Sequence, residues 1–386
     1  MRVLIDARPA LDRRRTGVGH YAQQIIRHLP PADPEGRYAA WYLHARGLLK
    51  PRKFFPGAAP NLIEVASRFP ARVFQPVSWR MRLPRVEWLA GGFDVLLATN
   101  FLPPPTASRG VVLVVHDLAF RLFPETAPHH DARWLRRFDA WLADAALVIV
   151  PSDSAKRDLC EQYPIDIARV EAIHHGVDAH EFRPAALAEI ERVRGAFGIG
   201  GVPYALFVGG IEPRKNLETL ARAFGQVPAP ARLVIAGGPV RWDPGASERL
   251  NAAVAALPTD TRGRVVRTGY VSEPDKAALL TGATVLAYPS RYEGFGFPVL
   301  EGFAAGLPVI TSNVSSLPEV AGDAAVLVDP DDADAIGVEL TRLFEDEDLR
   351  NVLRAAGHAR VAGFTWEATA RATAAALHRA AGTDPG

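Results

Sequence analysis

The feature that most constrains this chain is an alternation between short, wholly apolar segments and longer stretches of helical periodicity. "RVLIDA", "DVLLAT", "VVLVVHD" and "LVIVPS" come first; "YALFVGG", "RLVIAGG", "TVLAYPS", "PVITSN" and "AVLVDP" follow. A strand with one wet face alternates apolar and polar residues. These segments do not, as expected of parallel strands covered on both faces. Between them, stretches such as "GHYAQQIIRHL" and "NLETLARAF" carry apolar residues at helical spacing. The alternation predicts an α/β chain with doubly wound sheets. It occurs twice, interrupted by "HEFRPAALAEIERVRGAFGIGGVP", so two domains are expected, 1–185 and 201–365, with the boundary around Pro184 to Gly201. A length of 386 residues suits two domains. The Ala-rich "WEATARATAAALHRA" predicts a last helix, within 366–386, that crosses back onto the N-terminal domain.

Composition excludes several classes. A hydrophobic fraction of 48% supplies ample core, and a net charge of +1 argues against bulk nucleic-acid binding. The single cysteine, Cys160, can form no internal disulfide and has no partner at CxxC spacing, which fits a reducing compartment. The apolar run in "MRVLIDARPALDRRR" is too short for a signal peptide, and no segment approaches the length of a membrane span. A cytoplasmic protein is expected. Charge is uneven, however. Before Gly110 basic residues dominate, at 13–15, Arg52, Lys53, Arg68, Arg72, Arg80, Arg82 and Arg85, interleaved with Phe54, Phe55, Phe69, Phe74 and Trp79. A solvated face with satellite packing accounts for each residue singly. As a cluster, the 50–85 region also suits a peripheral contact with an anionic membrane or a phosphorylated acceptor.

In doubly wound sheets, ligands bind where loops leave the carboxyl ends of strands. Two such domains facing a cleft would unite their loops there. "VGGIEPRKN" places Gly209 and Gly210 ahead of a helix start, with Asn216 at the N-cap position. Arg214 and Lys215 come just before that cap, where the helix dipole disfavours cations. Two solvated side chains would explain them; so would an anion held by the helix start, a bidentate Arg and a compact Lys. The second loop, "YPSRYEGFGFPVLEGFAAG", aims Gly294 and Gly296 at another helix start. Glu301 is expected in the first helical turn, where the dipole would stabilise it regardless, although a carboxylate there can also accept from a ribose diol. Glu293 has no comparable structural reason to be in a glycine-rich loop.

Those segments resemble the donor-site signatures of retaining glycosyltransferases of the GT-B fold, specifically glycosyltransferase family four. "GGIEPRKN" and the Glu-x7-Glu stretch "EGFGFPVLE" carry the likeness, as do "SSLPEVAGDAAVLVDP", "HGVD", "PSDSAKRDL" and "VHDLAF". The resemblance implies two Rossmann-like domains, the first for the acceptor and the second for a nucleotide-sugar donor. It implies that Arg214 and Lys215 hold the donor diphosphate, Glu301 the ribose, and Glu293 the transferred sugar and its neighbouring phosphate. Gly210 and the amides of Gly294, Phe295 and Gly296 would contact the donor, and Tyr270 or Val271 in "TGYVS" would line the base pocket. An ordinary strand-end aromatic is the plainer account of Tyr270. In the N-terminal domain Gly17 and Gly19 are expected to turn backbone amides toward the donor, although Ala22 breaks the dinucleotide fingerprint. His116 ends an apolar strand beside Asp117; a satisfied core histidine and a role near the reacting sugar are both open, and the resemblance favours the second.

The reaction implied is transfer of a hexosyl unit to an acceptor hydroxyl in glycan or glycolipid biosynthesis, with retention. Mannose from GDP-mannose is the first expectation and a UDP-sugar the second. A nucleotide-sugar 2-epimerase of similar architecture and a non-enzymatic nucleotide-binding module are the rivals. No cofactor is expected, the nucleotide sugar being a co-substrate. No metal is expected either: Asp329, Asp331, Asp332 and Asp334 offer Asp-x-Asp spacing, but they precede a helix whose N–H groups acidic residues cap. No GxxxxGK[ST] occurs, which excludes a P-loop phosphotransferase.

Overall fold

A computed structural model describes residues 1–386 apart from 12–15, 44–53, 56, 58, 68–73, 75–77, 79–82, 127–130, 179–181, 183, 241, 244 and 383–386. The chain divides into two compact units. The first is Met1–Leu118, His130–Gly176 and Thr365–Gly386; the second is Ala119–His129 and Val177–Phe364. The crossover therefore precedes the Pro184–Gly201 stretch in which composition suggested a boundary.

The first unit holds a seven-stranded parallel sheet of β1 (Arg2–Asp6), β2 (Arg37–Leu43), β3 (Leu62–Ser67), β4 (Val95–Ala98), β5 (Val111–Val114), β6 (Leu147–Val150) and β7 (Val170–Ala172), in the order β3-β2-β1-β4-β5-β6-β7. The second unit repeats the plan with β8 (Tyr204–Val208), β9 (Arg232–Ala236), β10 (Val265–Gly269), β11 (Val285–Tyr288), β12 (Val309–Ser312) and β13 (Val326–Val328), in the order β10-β9-β8-β11-β12-β13. Every strand pair is parallel. The central strands β4, β5, β6, β11 and β12 are buried along their whole length, which is why they read as unbroken apolar runs.

Four strands lack such a run. Three of them, β3, β7 and β10, are sheet edges and carry Glu64, Glu171 and Arg267. An edge strand is covered on fewer sides, so charge is tolerated there. The fourth, β2 ("RYAAWYL"), buries Tyr38 and Tyr42 through their rings while their hydroxyls reach Asp33 and Glu64.

The helix Trp366–Ala381 returns to the first unit and packs on the helix Gly17–Ala32, as the sequence suggested. Thr365 caps its start, accepting from the amide of Ala368. Its buried face runs through Trp366, Thr369, Ala370, Thr373, Ala374 and Leu377, mostly small residues that let two helices approach closely. Thr369 donates to the carbonyl of His174 at 2.8 Å. His378 meets Asp33 at 3.2 Å, and Arg379 pairs with Glu171 on β7.

Candidate active site

Sheet order reverses between β8 and β11 in the second unit, and the crevice beyond a reversal is where doubly wound sheets bind ligands. The loops leaving those two strands are "GGIEPRKN" and "PSRYEGFG". Gly210 is required by close packing, because a Cβ there would lie 2.9 Å from Cγ1 of Val240. Pro213–Lys215 forms one turn of 3-10 helix, and Asn216 then turns left-handed with φ of 61°. Asn216 is not the expected N-cap: its side chain makes no cap bond to the helix Leu217–Phe224. Fully buried, its amide nitrogen instead donates to the carbonyls of Pro289 (3.0 Å) and Pro330 (2.6 Å). One side chain thus ties together the loops after β8, β11 and β13.

That staple sets Arg214 and Lys215 against Glu293. Lys215 Nζ donates to Glu293 Oε1 at 2.5 Å and to the Tyr288 hydroxyl at 2.6 Å. Arg214 Nη1 reaches Glu293 Oε2 at 2.9 Å and the Tyr292 carbonyl at 2.7 Å, while its Nη2 donates to Glu212 at 2.9 Å. Tyr288 and Ser290 also donate to Glu293 Oε1, at 2.8 and 2.7 Å. Burial alone would raise the pKa of Glu293, but Lys215 and then Arg214 hold it down, at about 2. Burial and the neighbouring Arg214 lower that of Lys215, against the opposing pull of Glu293 and Glu212. Burial and the Glu293 charge push the Tyr288 phenol well up, so it stays a protonated donor.

Sequence reasoning gave Glu293 no structural reason for its place. It has one: it is the shared anchor of two largely buried cations. Its loop is held from below by the "SSLPEV" segment, with the Glu293 amide donating to Ser315 and the Ser316 hydroxyl donating to the carbonyls of Glu293 (2.9 Å) and Phe295 (2.6 Å). Phe295 is buried against Phe297 and Phe364. Gly296 then adopts φ of 117°, open to glycine at little cost, and starts the helix Phe297–Ala304.

Glu301 is the fifth residue of that helix, not part of its first turn. The dipole account of its position therefore fails. Its carboxylate pairs instead with Lys276 at 3.0 Å. Of the two base-pocket candidates, Tyr270 is 65% exposed just past β10, so it is no core aromatic; Val271 packs against the core.

In the first unit, order reverses between β1 and β4, and His116 follows the neighbouring β5. His116 Nε2 lies 2.9 Å from the carbonyl of Thr99, just past β4; a carbonyl only accepts, so Nε2 carries the proton and Nδ1 is the acceptor. Burial lowers the pKa of His116, while Thr99 and Asp117 oppose the shift. Edge-to-face rings of Tyr21 and Phe101, with centroids 5.1 and 6.1 Å away, confine the imidazole. His175 is buried behind it and stacks on Trp366. Gly19 corrects the expectation of two ligand-facing amides. Its N–H is already donated to the Thr16 cap at 3.1 Å, and a Cβ there would sit 2.9 Å from the carbonyl of Pro9. Only Gly17 keeps the expected reading.

Residues 15–181 match the family described as Glycosyltransferase Family 4, and residues 189–360 match Glycosyl transferases group 1. The chain belongs to the group 1, family 4 glycosyltransferases. It is 32% identical over 273 residues to the O-antigen chain mannosyltransferase B of Escherichia coli, covering 69% of this chain and 70% of that one. It is also 32% identical to a D-inositol 3-phosphate glycosyltransferase of Nocardioides sp., over 80% of this chain and 69% of the relative. Among solved structures, sucrose-phosphate synthase from Thermosynechococcus elongatus superposes with a TM-score of 0.75 at 21% identity, covering 96% of each chain. Anabaena Alr3699/HepE, in complex with UDP and glucose, gives 0.73 at 16%, covering 97% of this chain and 98% of that one. The architecture is GT-B.

Several residues of this glycosyltransferase's site escaped sequence reasoning: Glu212, Lys276, Tyr288, Ser290, Ser315 and Ser316. Ser315 and Ser316 lay in a stretch that carried the family resemblance, but nothing local showed that they reach a carboxylate loop. The acidic cluster has separate duties. Asp332 caps the helix Ala333–Glu345, Asp331 accepts from Arg291 at 2.8 Å, Asp329 accepts from the Asp331 amide, and Asp334 accepts from Gln226. Of the basic aromatic region, Arg52, Lys53, Arg68, Phe69, Arg72, Trp79, Arg80 and Arg82 lie outside the described residues, as do 13–15. Phe55 and Phe74 are buried and so belong to packing. Among the described residues, no helix is long and apolar enough to cross a membrane.

Proposed function

We propose that this glycosyltransferase moves a hexosyl unit from a nucleoside-diphosphate sugar to an acceptor hydroxyl, with retention of anomeric configuration. The second unit would hold the donor and the first the acceptor, a glycan or glycolipid. Mannose from GDP-mannose is the preferred donor reading, supported by mannosyltransferase relatives. A UDP-sugar is the second reading, supported by a structural neighbour crystallised with UDP-glucose.

The observation that carries the proposal is the Arg214–Lys215–Glu293 cluster at the sheet reversal. Two cations fixed in advance by carboxylates need no reorganisation when a diphosphate leaves, the condition under which electrostatic stabilisation is most effective. Glu293 is too firmly gripped to be a nucleophile, and a carboxylate with a pKa of about 2 is a poor base. Front-face substitution is the course we prefer, as the family resemblance implies. The bond from the anomeric carbon to the phosphate oxygen breaks as the acceptor oxygen bonds on the same face, and the acceptor proton passes to the departing phosphate. Lys215 and Arg214 take up the charge that develops there, and Tyr288 holds Glu293 between them. His116 Nδ1, an acceptor, would receive a hydroxyl hydrogen bond from the sugar. Gly17, Gly210, Gly294, Phe295 and Gly296 would meet the donor by backbone, and Tyr270 or Val271 its base. No metal is needed in this scheme, because the protein supplies the positive charge.

The test is a panel of GDP- and UDP-sugars, scored for thermal stabilisation and for slow donor hydrolysis, with the anomer formed read by NMR. Stabilisation with hydrolysis of one donor supports the reading. Stabilisation without hydrolysis favours a binding module, and a donor epimerised without acceptor favours the epimerase.

A further inference from the structure

We infer that Lys276 is a positioning residue of the nucleoside subsite, fixing the Glu301 carboxylate against the ribose diol and so making the enzyme selective for ribonucleotides. The inference rests on the donor reading above and on a side chain that reading does not use.

Lys276 is the fourth residue of the helix Glu273–Gly282, whose start is capped by Ser272. A cation so near a helix N-terminus opposes the macrodipole and needs compensation. It receives it from both sides. Its Nζ lies 2.9 Å from Glu273 and 3.0 Å from Glu301, and 5.1 Å from the centre of the Phe182 ring. Burial disfavours its charge, but Glu301 and Glu273 outweigh that and hold its pKa above the ordinary lysine value. Lys276 and Glu301 side chains are only 14% and 13% exposed, unlike the loosely held pairs of a protein surface.

Its position gives the pair a purpose. The segment just before this helix is "GYVS", which contains Tyr270 and Val271, the residues proposed to line the base. Glu301 lies on the helix Phe297–Ala304 and is proposed to hold the ribose. Lys276 joins the two, so the base wall and the sugar acceptor are set by one ion pair. A carboxylate offers about four lone-pair directions and Lys276 occupies one. Oriented by that contact, the remaining oxygen can accept from two vicinal hydroxyls. Without it, Glu301 loses the contact that orients its carboxylate. With one oxygen on Lys276 and the other turned outward, a diol is favoured over a sugar that lacks one hydroxyl.

The experiment is titration calorimetry of GDP and UDP, their 2′-deoxy and 3′-deoxy forms, and inorganic pyrophosphate, with the wild type, Lys276→Met and Lys276→Arg. The wild type should prefer the ribonucleotide by about tenfold or more, the worth of one charge-assisted hydrogen bond. Lys276→Met should shrink that preference to about threefold or less with pyrophosphate affinity unchanged, and Lys276→Arg should restore it. A full ribose preference in Lys276→Met overturns the inference, as does a wild type that binds both forms equally. If Lys276→Met does not fold, Lys276→Gln against Lys276→Arg makes the same comparison. A wild type that binds neither nucleotide nor pyrophosphate would defeat the donor reading itself, so the two failures are told apart.

Discussion

The carboxyl ends of the two sheets are built in opposite ways. Beyond β8 and β11, Arg214 and Lys215 form a largely buried network of ion pairs with Glu212 and Glu293. Beyond β4 and β5, His116 is confined by Tyr21 and Phe101 with His175 and Trp366 behind, and burial works against its protonation. One end is an ionic network; the other is aromatic around its histidine, with its ion pair, Arg8 on Asp6, set apart at the end of β1. The difference teaches what each can bind. Fixed charges reward a ligand whose charge grows during reaction, such as a departing diphosphate. An aromatic pocket with one oriented acceptor rewards an uncharged hydroxyl.

The contrast breaks most visibly with Lys215→Ala. Removing it leaves Glu293 buried and short of a partner, a loss of about 3–5 kcal/mol in stability, together with loss of donor turnover. Chemical denaturation measures the first, and an unchanged midpoint would show that the network is not stabilising. His116→Ala should do the reverse, with turnover down about 10²-fold while nucleoside-diphosphate affinity holds and melting temperature falls only modestly. If only the melting temperature falls and specific activity stays, His116 is a core histidine and the two ends are less distinct than they look.

Smaller effects sharpen the ionic side. Glu301→Ala should weaken nucleotide binding by about 1.5–3 kcal/mol and leave pyrophosphate binding alone; equal losses for both ligands would place Glu301 in the diphosphate cradle instead. The pH dependence comes next. Because the folded pKa of Glu293, about 2, is below its ordinary 4.5, the unfolded chain binds the proton more tightly. The stability it contributes is thus complete above about pH 4.5 and is lost as pH falls toward 2. The stability gap between wild type and Glu293→Gln should narrow across that window, and a gap independent of pH would mean that the charge of Glu293 contributes nothing. The smallest expected effect is none. Exhaustive EDTA should leave activity intact, and activity restored by magnesium or manganese would show that the protein's own cations are not enough.

How much of this was legible depended on locality. Central strands announce themselves because burial on both faces requires unbroken apolar runs, as in "VVLVV". Edge strands β3, β7 and β10 do not, since their free side admits charge. Arg214, Lys215 and Glu293 stood out because cations before a helix and a carboxylate among glycines defy local rules; Glu301 obeyed them, and its place in the Glu-x7-Glu stretch singled it out. What they touch was not legible. Asn216 looked like a cap because its neighbours are helical, yet its partners are Pro289 and Pro330, more than seventy residues away. Gly19 looked like a donor of its amide, but Thr16, three residues earlier, takes that proton. Lys276 raised no alarm, because a lone lysine in a helix is unremarkable until Glu301 is brought beside it.

The return of the helix Trp366–Ala381 to the first unit has a consequence for biosynthesis. Residues 177–364 are translated between Gly176 and that helix, and they supply nearly all of the second unit. The second unit can therefore close its core while the first still waits for a component. During that interval the Gly17–Ala32 helix shows the ribosome's surroundings the face that the Trp366–Ala381 helix will later cover, His20 and Tyr21 among it. Chains paused late in translation should thus be half mature, with the C-terminal half protected from protease and the N-terminal half still open to chaperones.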